Sequence, residues 1–154
     1  MAQENDTGHN DDIKAEDNVE LIVRGPDGEI KQVVTAHNLL TTVGKEKLVE
    51  RLLASPTTEG PKYIGVGKSA VEAKVSDTAL GEQVKRKEAT TRSASGNVLT
   101  LAVAFAAGEA TGAITELGVF SASTSGTLFA RLVFAVVNIE AADSLETKWT
   151  LTQN

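Results

Sequence analysis

The chain of 154 residues contains no cysteine and only three prolines. Without cysteine there are no disulfides, thiolate metal ligands or cysteine nucleophiles, so packing or neighbouring subunits must stabilise the fold. Aromatic residues make up only 4% of the chain, which leaves few ring faces for stacking on sugars. No stretch approaches the ~18 consecutive apolar residues of a membrane helix, and no basic segment followed by an apolar one opens the sequence. We therefore expect a soluble protein with no cleaved signal and no membrane contact.

Net charge is concentrated at the N-terminus. Residues 1–20 hold seven acids and one lysine, a net charge of −6, and this accounts for the whole formal charge of −6. The remaining residues, 21–154, carry 14 acids and 14 bases and are neutral. The length itself predicts one domain with a single core that buries roughly two-thirds of the unfolded chain's surface.

Residues 1–18 are interpreted as an extended acidic arm and residues 19–154 as the folded domain. The arm has little apolar surface, so it cannot offset the entropy of ordering by itself. Two interpretations stay open: a solubilising tail, or a segment that becomes ordered by docking on a basic strip of a partner subunit. We favour docking. The residues assigned to it are Glu4, Asp6, Asp11, Asp12, Ile13, Glu16 and Asp17.

The apolar pattern predicts a mainly β fold, a two-layer antiparallel β-sandwich of jelly-roll-like type with one amphipathic α-helix. Residues 19–35 read as two strands of a hairpin that turns at Gly25–Gly28. The helix is expected near residues 43–54, with Thr41 or Thr42 as its N-cap. Its core-facing residues are predicted from their helical spacing and are Leu48, Val49, Leu52 and Leu53.

The C-terminal half alternates with period two. In residues 99–105 one face is bulky and faces the core, whereas the other is small and uncharged, which suggests either a facing sheet or a subunit contact. Residues 128–139 are apolar on both faces, so this strand is either central in the sandwich or buried between subunits. The residues assigned to a candidate subunit interface are Phe129, Arg131, Val133 and Val137.

A basic cluster comprises Lys85, Arg86, Lys87 and Arg92. It has no interleaved aromatic residues and belongs to no recognised nucleic-acid-binding motif, so we expect no nucleic-acid partner. A solvated strand edge explains it simply. The alternative is that the cluster receives the acidic arm of a neighbouring copy, because the charges are opposite and the rest of the domain is neutral.

Residue chemistry favours a protein that is not an enzyme. The two histidines do not stand at metal-ligand spacing, and no Gly-x-Ser-x-Gly elbow is present. Gly67-Lys68-Ser69 matches the end of a phosphate-binding loop, but the first glycine of that motif would fall on Lys62. Glu109 and Glu116 could be a glycosidase pair, although Glu116 is better explained as a buried hydrogen-bonding or solvent-facing group. We expect no cofactor, no metal ion and no small-molecule substrate.

Five short motifs appear in order over residues 35–152, and together they resemble small bacteriophage virion proteins labelled as tail-fibre or head-decoration proteins. The motifs are His37-Asn38-Leu39, Ile64-Gly65-Val66-Gly67, Asp77-Thr78-Ala79-Leu80, Gly108-Glu109-Ala110 with Glu116-Leu117-Gly118-Val119-Phe120, and Leu128-Phe129-Ala130-Arg131 with a closing Asp143-Ser144-Leu145. The acidic arm lies outside this resemblance.

The resemblance implies a virion structural protein that is assembled in the cytoplasm of the bacterial host. Compact size and the charged arm favour a capsid decoration (cement) protein that binds the major capsid protein as a homo-oligomer, with a trimer as the first hypothesis. One alternative is a tail, neck or baseplate component. A second is a glycan-binding fibre module, which the scarcity of aromatic residues disfavours.

Overall fold

The computed structural model describes residues 15–57 and 59–154. Within them the chain forms strands and one helix in this order: β1 (Ala15–Arg24), β2 (Ile30–Ala36), β3 (Leu39–Leu40), α1 (Thr42–Glu50), β4 (Tyr63–Gly67), β5 (Gln83–Glu88), β6 (Thr91–Ser95), β7 (Val98–Phe105), β8 (Gly112–Phe120), β9 (Leu128–Ile139) and β10 (Ser144–Gln153). In this part of the chain no helix is long and apolar enough to cross a membrane.

Two antiparallel sheets pack face to face. Sheet A has the strand order β2-β1-β10-β7-β6, and sheet B has the order β3-β9-β8-β4-β5. The main core lies between them and includes three fully buried large rings, those of Trp149, Phe105 and Phe129. The predicted two-layer antiparallel sandwich with one helix is therefore confirmed.

Period-two alternation places the side chains as the sequence predicts. In β7, Leu101, Val103 and Phe105 face the core, whereas the small residues between them face away from sheet B. The small face therefore does not pack against the second sheet. The predicted hairpin is also present, because β1 pairs with β2 and the amide of Gly28 donates to the carbonyl of Gly25 at 2.9 Å. Gly28 has a φ of +80°, which glycine adopts without strain.

Helix α1 is shorter than the predicted span of 43–54. Thr41 is its N-cap, and its hydroxyl accepts a hydrogen bond from the Gly44 amide at 3.0 Å. The helix ends at Glu50, after which the chain makes tight turns with bonds from residue 52 to 49 and from 53 to 50. Pro56 follows, and the residue before a proline avoids helical geometry.

The predicted apolar face of the helix is mostly wrong. Leu48 packs against the core, but Val49, Leu52 and Leu53 face solvent. The helix ends at Glu50, so the last two leucines lie in the exposed turns that follow it. Gly44, which is buried, makes the close contact of the helix with β9, since a methyl group there would meet the Phe129 backbone.

The first part of strand β9, Leu128 to Leu132, is covered on both faces within the chain. Phe129 lies in the main core, whereas Leu128 packs with Phe120 and Leu80 in a second cluster on the outer face of sheet B. Leu80 belongs to the β4–β5 loop, which folds over that face. Farther along, the β8–β9 register shifts between residues 114 and 116, and residues 135–136 bulge into solvent.

The N-terminal boundary of the domain differs from the predicted one. Strand β1 begins at Ala15 and pairs with β10 from Ala15↔Gln153 onward, so residues 15–18 belong to the sandwich rather than to the arm. The sequence pattern missed this because these residues are polar and their order comes from backbone pairing.

Candidate assembly surfaces and a buried ion-pair network

A buried ion-pair network lies on the outer face of sheet B. Arg131 of β9 is 3% exposed, and its guanidinium lies 2.8 Å from Asp77 Oδ2 and 3.0 Å from Glu116 Oε2. Burial alone would lower the pKa of Arg131, but the hydrogen bonds to these two carboxylates raise it above its usual range. We call these three side chains the Arg131 network.

Glu116 fastens the β4–β5 loop to sheet B. It is fully buried, and it accepts hydrogen bonds from the backbone amides of Ser69, Gly81 and Glu82 at 3.2, 3.0 and 2.8 Å. The Arg131 guanidinium adds a bond to the carbonyl of Val71 at 2.9 Å. Buried charges persist when they are paired and hydrogen-bonded, and both oxygens of the Glu116 carboxylate have partners. The network therefore holds both ends of the loop.

Glycines allow the loop to approach the sheet so closely. A methyl group at Gly67 would collide with the Glu116 carboxylate and with the Glu82 carbonyl. A methyl group at Gly118 would lie 2.8 Å from a Leu80 methyl carbon. Both positions therefore require glycine for space rather than for backbone freedom.

The candidate subunit interface on β9 is mostly wrong. Phe129 and Val137 are fully buried in the core, and Arg131 is held in its network. Only Val133 keeps partial exposure. The β4–β5 loop of the same chain covers the start of the outer face of β9 through Leu80. The period-two pattern does not predict which segment covers that face.

The predicted basic cluster is divided between the two sheets. Lys85, Arg86 and Lys87 lie on β5 in sheet B, whereas Arg92 lies on β6 in sheet A. Arg86 stacks on the Phe120 ring at 3.4 Å and donates to the carbonyls of residues 122 and 125. Lys87 pairs with Glu109 at 2.7 Å. The four cations therefore do not form one continuous patch.

The residues assigned to the docking arm have separate positions. Glu4, Asp6, Asp11, Asp12 and Ile13 lie outside the described residues. Glu16 is exposed, but it lies on β1, where the backbone pairs with β10.

Asp17 cannot serve as a docking residue, because it is 5% exposed and accepts a hydrogen bond from Trp149 Nε1 at 3.1 Å. Burial raises its pKa to about 6, and the Trp149 hydrogen bond opposes this only in part. The carbonyl oxygen of Asp17 lies 2.9 Å from His37 Nδ1. Since a carbonyl only accepts, that nitrogen carries the proton. This acid lies inside the sandwich where β1 begins.

The end of α1 presents an exposed apolar surface that the sequence pattern assigned to the core. Val49, Leu52 and Leu53 are 66%, 85% and 63% exposed. We call these three side chains the helix patch. Clustered apolar side chains on a surface mark contact sites for other macromolecules more often than scattered ones do.

A groove of about 460 Å³ opens between α1 and the β6–β7 edge of sheet A. Leu48, Pro61, Ala94 and Leu99 form apolar walls, and the guanidinium-bearing residues Arg51 and Arg92 line it as well. Arg92 was predicted as part of the basic cluster. We call this feature the arginine groove.

Over residues 15–57 and 59–154, no group of three or more histidine, aspartate or glutamate side chains is placed to hold a metal ion. Comparison of the chain with known proteins finds no matching family model, no matching curated protein and no matching solved structure.

Proposed function

We propose that this chain is a non-enzymatic structural protein of a bacteriophage virion, and specifically a decoration protein that binds the assembled head as a homo-oligomer, with a trimer as the first hypothesis. One observation carries the proposal: four motifs behind the resemblance meet in a single packing site. They are Ile64–Gly67, Asp77–Leu80, Glu116–Phe120 and Leu128–Arg131, and they build the Arg131 network and the cluster around Leu80. Because these dispersed motifs pack against one another, they support the fold that the resemblance implies. The proposed role follows from that resemblance.

The mechanism is mass action. A protein that binds the assembled shell but not free capsid subunits stabilises the shell by the free energy of that binding. When one copy bridges neighbouring capsid subunits, its second contact forms at a high effective concentration. Individually weak contacts can therefore give strong overall binding. Two features are suited to such contacts: the helix patch, and the acidic segment before Ala15, which carries half of the net negative charge of the chain.

The placement of aromatic side chains favours this role over glycan binding. Of the six aromatic residues in the chain, Trp149, Phe105, Phe120 and Phe129 are fully buried. Only Tyr63 and Phe134 retain partial exposure, and they offer little stacking surface for a sugar ring.

Rebinding to heads that lack the protein tests the proposal. The full chain should co-sediment with the heads and raise the temperature at which they come apart, because it stabilises the assembled state. Co-sedimentation with purified tails instead would transfer the role to a tail or neck component. Glycan binding or glycan release by the isolated protein, without binding to heads, would overturn the proposal.

Two variants test the role of the acidic segment. Deleting residues 2–14 removes it without touching β1, and it should weaken head binding while the far-UV circular dichroism stays unchanged. A full-length control with amides at Glu4, Asp6, Asp11 and Asp12 separates charge from length. If charge carries the contact, both variants should bind weakly and binding of the full chain should fall with added salt. Unchanged binding by both would contradict the docking role.

A further inference from the structure

Strand β6 forms an open edge of sheet A. It pairs with β7 on one side, and among the described residues no strand pairs with its other side. All five of its residues are exposed, so neither face of the strand is covered. An edge strand presents a row of unpaired amide and carbonyl groups, which form a template for a strand of another chain.

The ladders on the two sides of β7 show which backbone groups of β6 are unpaired. The carbonyl of Asn97, just before β7, accepts a hydrogen bond from the Gln153 amide at 2.9 Å. Because successive residues of a strand direct their backbone groups to opposite sides, the odd-numbered residues of β7 bond to β10 and the even-numbered ones to β6. The even-numbered residues of β7 lie opposite the odd-numbered residues of β6. The amide and carbonyl groups of Arg92 and Ala94 therefore point away from the sheet.

The other edge strands carry features that block pairing with another chain. Strand β2 has a bulge at Lys31, where its register with β1 shifts. Strand β5 has a bulge at Val84 and three consecutive cations at residues 85–87. Strand β3 has only two residues, and β9 beside it bulges into solvent at residues 135–136. Strand β6 has an unbroken register, no proline and a single charged residue, Arg92.

The sequence of β6 is complementary to itself in antiparallel pairing about Ser93. This pairing places Arg92 opposite Ala94 of the second copy, and these are the residues whose backbone groups are unpaired. Each of the two symmetric pairs can form two backbone hydrogen bonds. On the other face Thr91 lies opposite Ser95, and Ser93 lies opposite its own copy. Hydroxyl groups therefore meet across the strands, and no two charges are directly opposed.

We propose that two copies of the free chain pair antiparallel through β6, which joins their A sheets into one continuous sheet. The partner is thus a second copy of this chain, and the same surface is used on both copies. The pairing predicts a dimer in solution, whereas the trimer hypothesis concerns the head-bound protein. The inference does not rest on the proposed virion role.

Single cysteines test the pairing in the full-length protein, because the chain has no cysteine of its own. Residues that lie opposite each other without backbone bonds have Cα atoms about 4.5 Å apart, which a disulfide can span. Ser93→Cys should therefore form a disulfide between two copies on mild oxidation.

Ser95→Cys is the matched control, because it makes the same change at another exposed position on the same face of β6. In the proposed dimer the two copies of this residue are four positions apart along the strands, roughly 13 Å, so cross-linking should be roughly tenfold slower. Equal rates for the two variants, or faster cross-linking of Ser95→Cys, would overturn the proposal.

Sedimentation of the full-length protein over a range of concentrations measures the association itself. The mass of the wild type should rise from one chain of 16.2 kDa to two. Ala94→Lys places a lysine opposite Arg92 of the second copy and should weaken the dimer, whereas Ala94→Asp should strengthen it. Each change should be roughly two- to thirtyfold in dissociation constant, because the charge pair occurs twice.

Three results would overturn the proposal in this assay. The first is a dimer that both substitutions leave unchanged, or that they shift in the opposite order. The second is a trimer of the free chain. The third is a single chain at every concentration, which would leave the β6 edge to a strand of a different protein.

Discussion

Replacing Asp17 with asparagine should stabilise the folded protein at neutral pH. The side chain is 5% exposed, and burial raises its pKa from the ordinary 3.8 to about 6. The folded chain therefore holds a proton that the unfolded chain has already released, so this group's contribution to stability is complete below pH 3.8 and is lost as pH rises through about 6. The difference between the two pKa values corresponds to about 3 kcal/mol.

The assay is urea unfolding of both proteins across this pH range, followed by far-UV circular dichroism. The free energy of unfolding of Asp17→Asn minus that of the wild type should rise by about 3 kcal/mol between pH 4 and pH 7. Asparagine retains an oxygen that can accept the hydrogen bond from Trp149, and any pH-independent cost of the substitution cancels in this comparison.

Glu16→Gln supplies the matched control, because Glu16 precedes Asp17 on β1 but is exposed. It undergoes the same change of charge at an exposed position, so it separates the effect of burial from that of charge. A constant difference for Asp17→Asn between pH 4 and pH 7 would refute the argument that Asp17 is buried at a cost.

Three further tests of the packing account use urea unfolding. Arg131→Met should cost about 3–5 kcal/mol, because it leaves two buried or half-buried carboxylates without their cation; a loss below about 1 kcal/mol would contradict the network. Gly67→Ala should cost about 1–3 kcal/mol of stability, because the added methyl group would displace the backbone. Gly60→Ala is the control and should change stability little, since its added methyl carbon would lie 3.7 Å from the nearest atom, Arg51 Nε. Equal losses would contradict the argument that the loop approaches the sheet too closely for a side chain at Gly67. Leu52→Ser should change stability by less than about 0.5 kcal/mol, while Leu48→Ser should cost about 1–2 kcal/mol; the reverse order would show that the helix faces the other way.

Much of the sandwich was predictable because its strands obey one rule. In β7 and β10, large residues alternate with small or polar ones, and a half-buried sheet leaves no other arrangement for them. The Gly25–Gly28 turn was also predictable from the sequence, since Gly28 has a positive φ, which glycine adopts readily in turns. These features depend on neighbours in sequence or on one face of one sheet.

The errors arise where distant segments decide the outcome. The two-sided apolarity of β9 left a central strand and a subunit contact as alternatives, and the β4–β5 loop covers the start of its outer face through Leu80. Period-two reasoning cannot say which polypeptide supplies that cover. Asp17 was assigned to a solvated arm because its neighbours are polar, although backbone pairing with β10 buries it beside Trp149.

The candidate site was only partly visible in the sequence. Two charged residues within apolar strands, Arg131 and Glu116, were signs of a buried ion pair. Their spacing in the sequence could not show that they contact each other. The arginine groove combines residues from α1, the following loop, β6 and β7, and no sequence pattern links these segments.

The abundance of the 16.2 kDa chain in purified virus particles tests the central claim most directly. A stained gel of such particles, with band intensities scaled by mass, gives its copy number relative to the major capsid protein. A decoration protein should be present in simple proportion to the capsid subunits and should stay with the heads when tails are removed. Absence of the band from purified particles would contradict a virion structural role altogether.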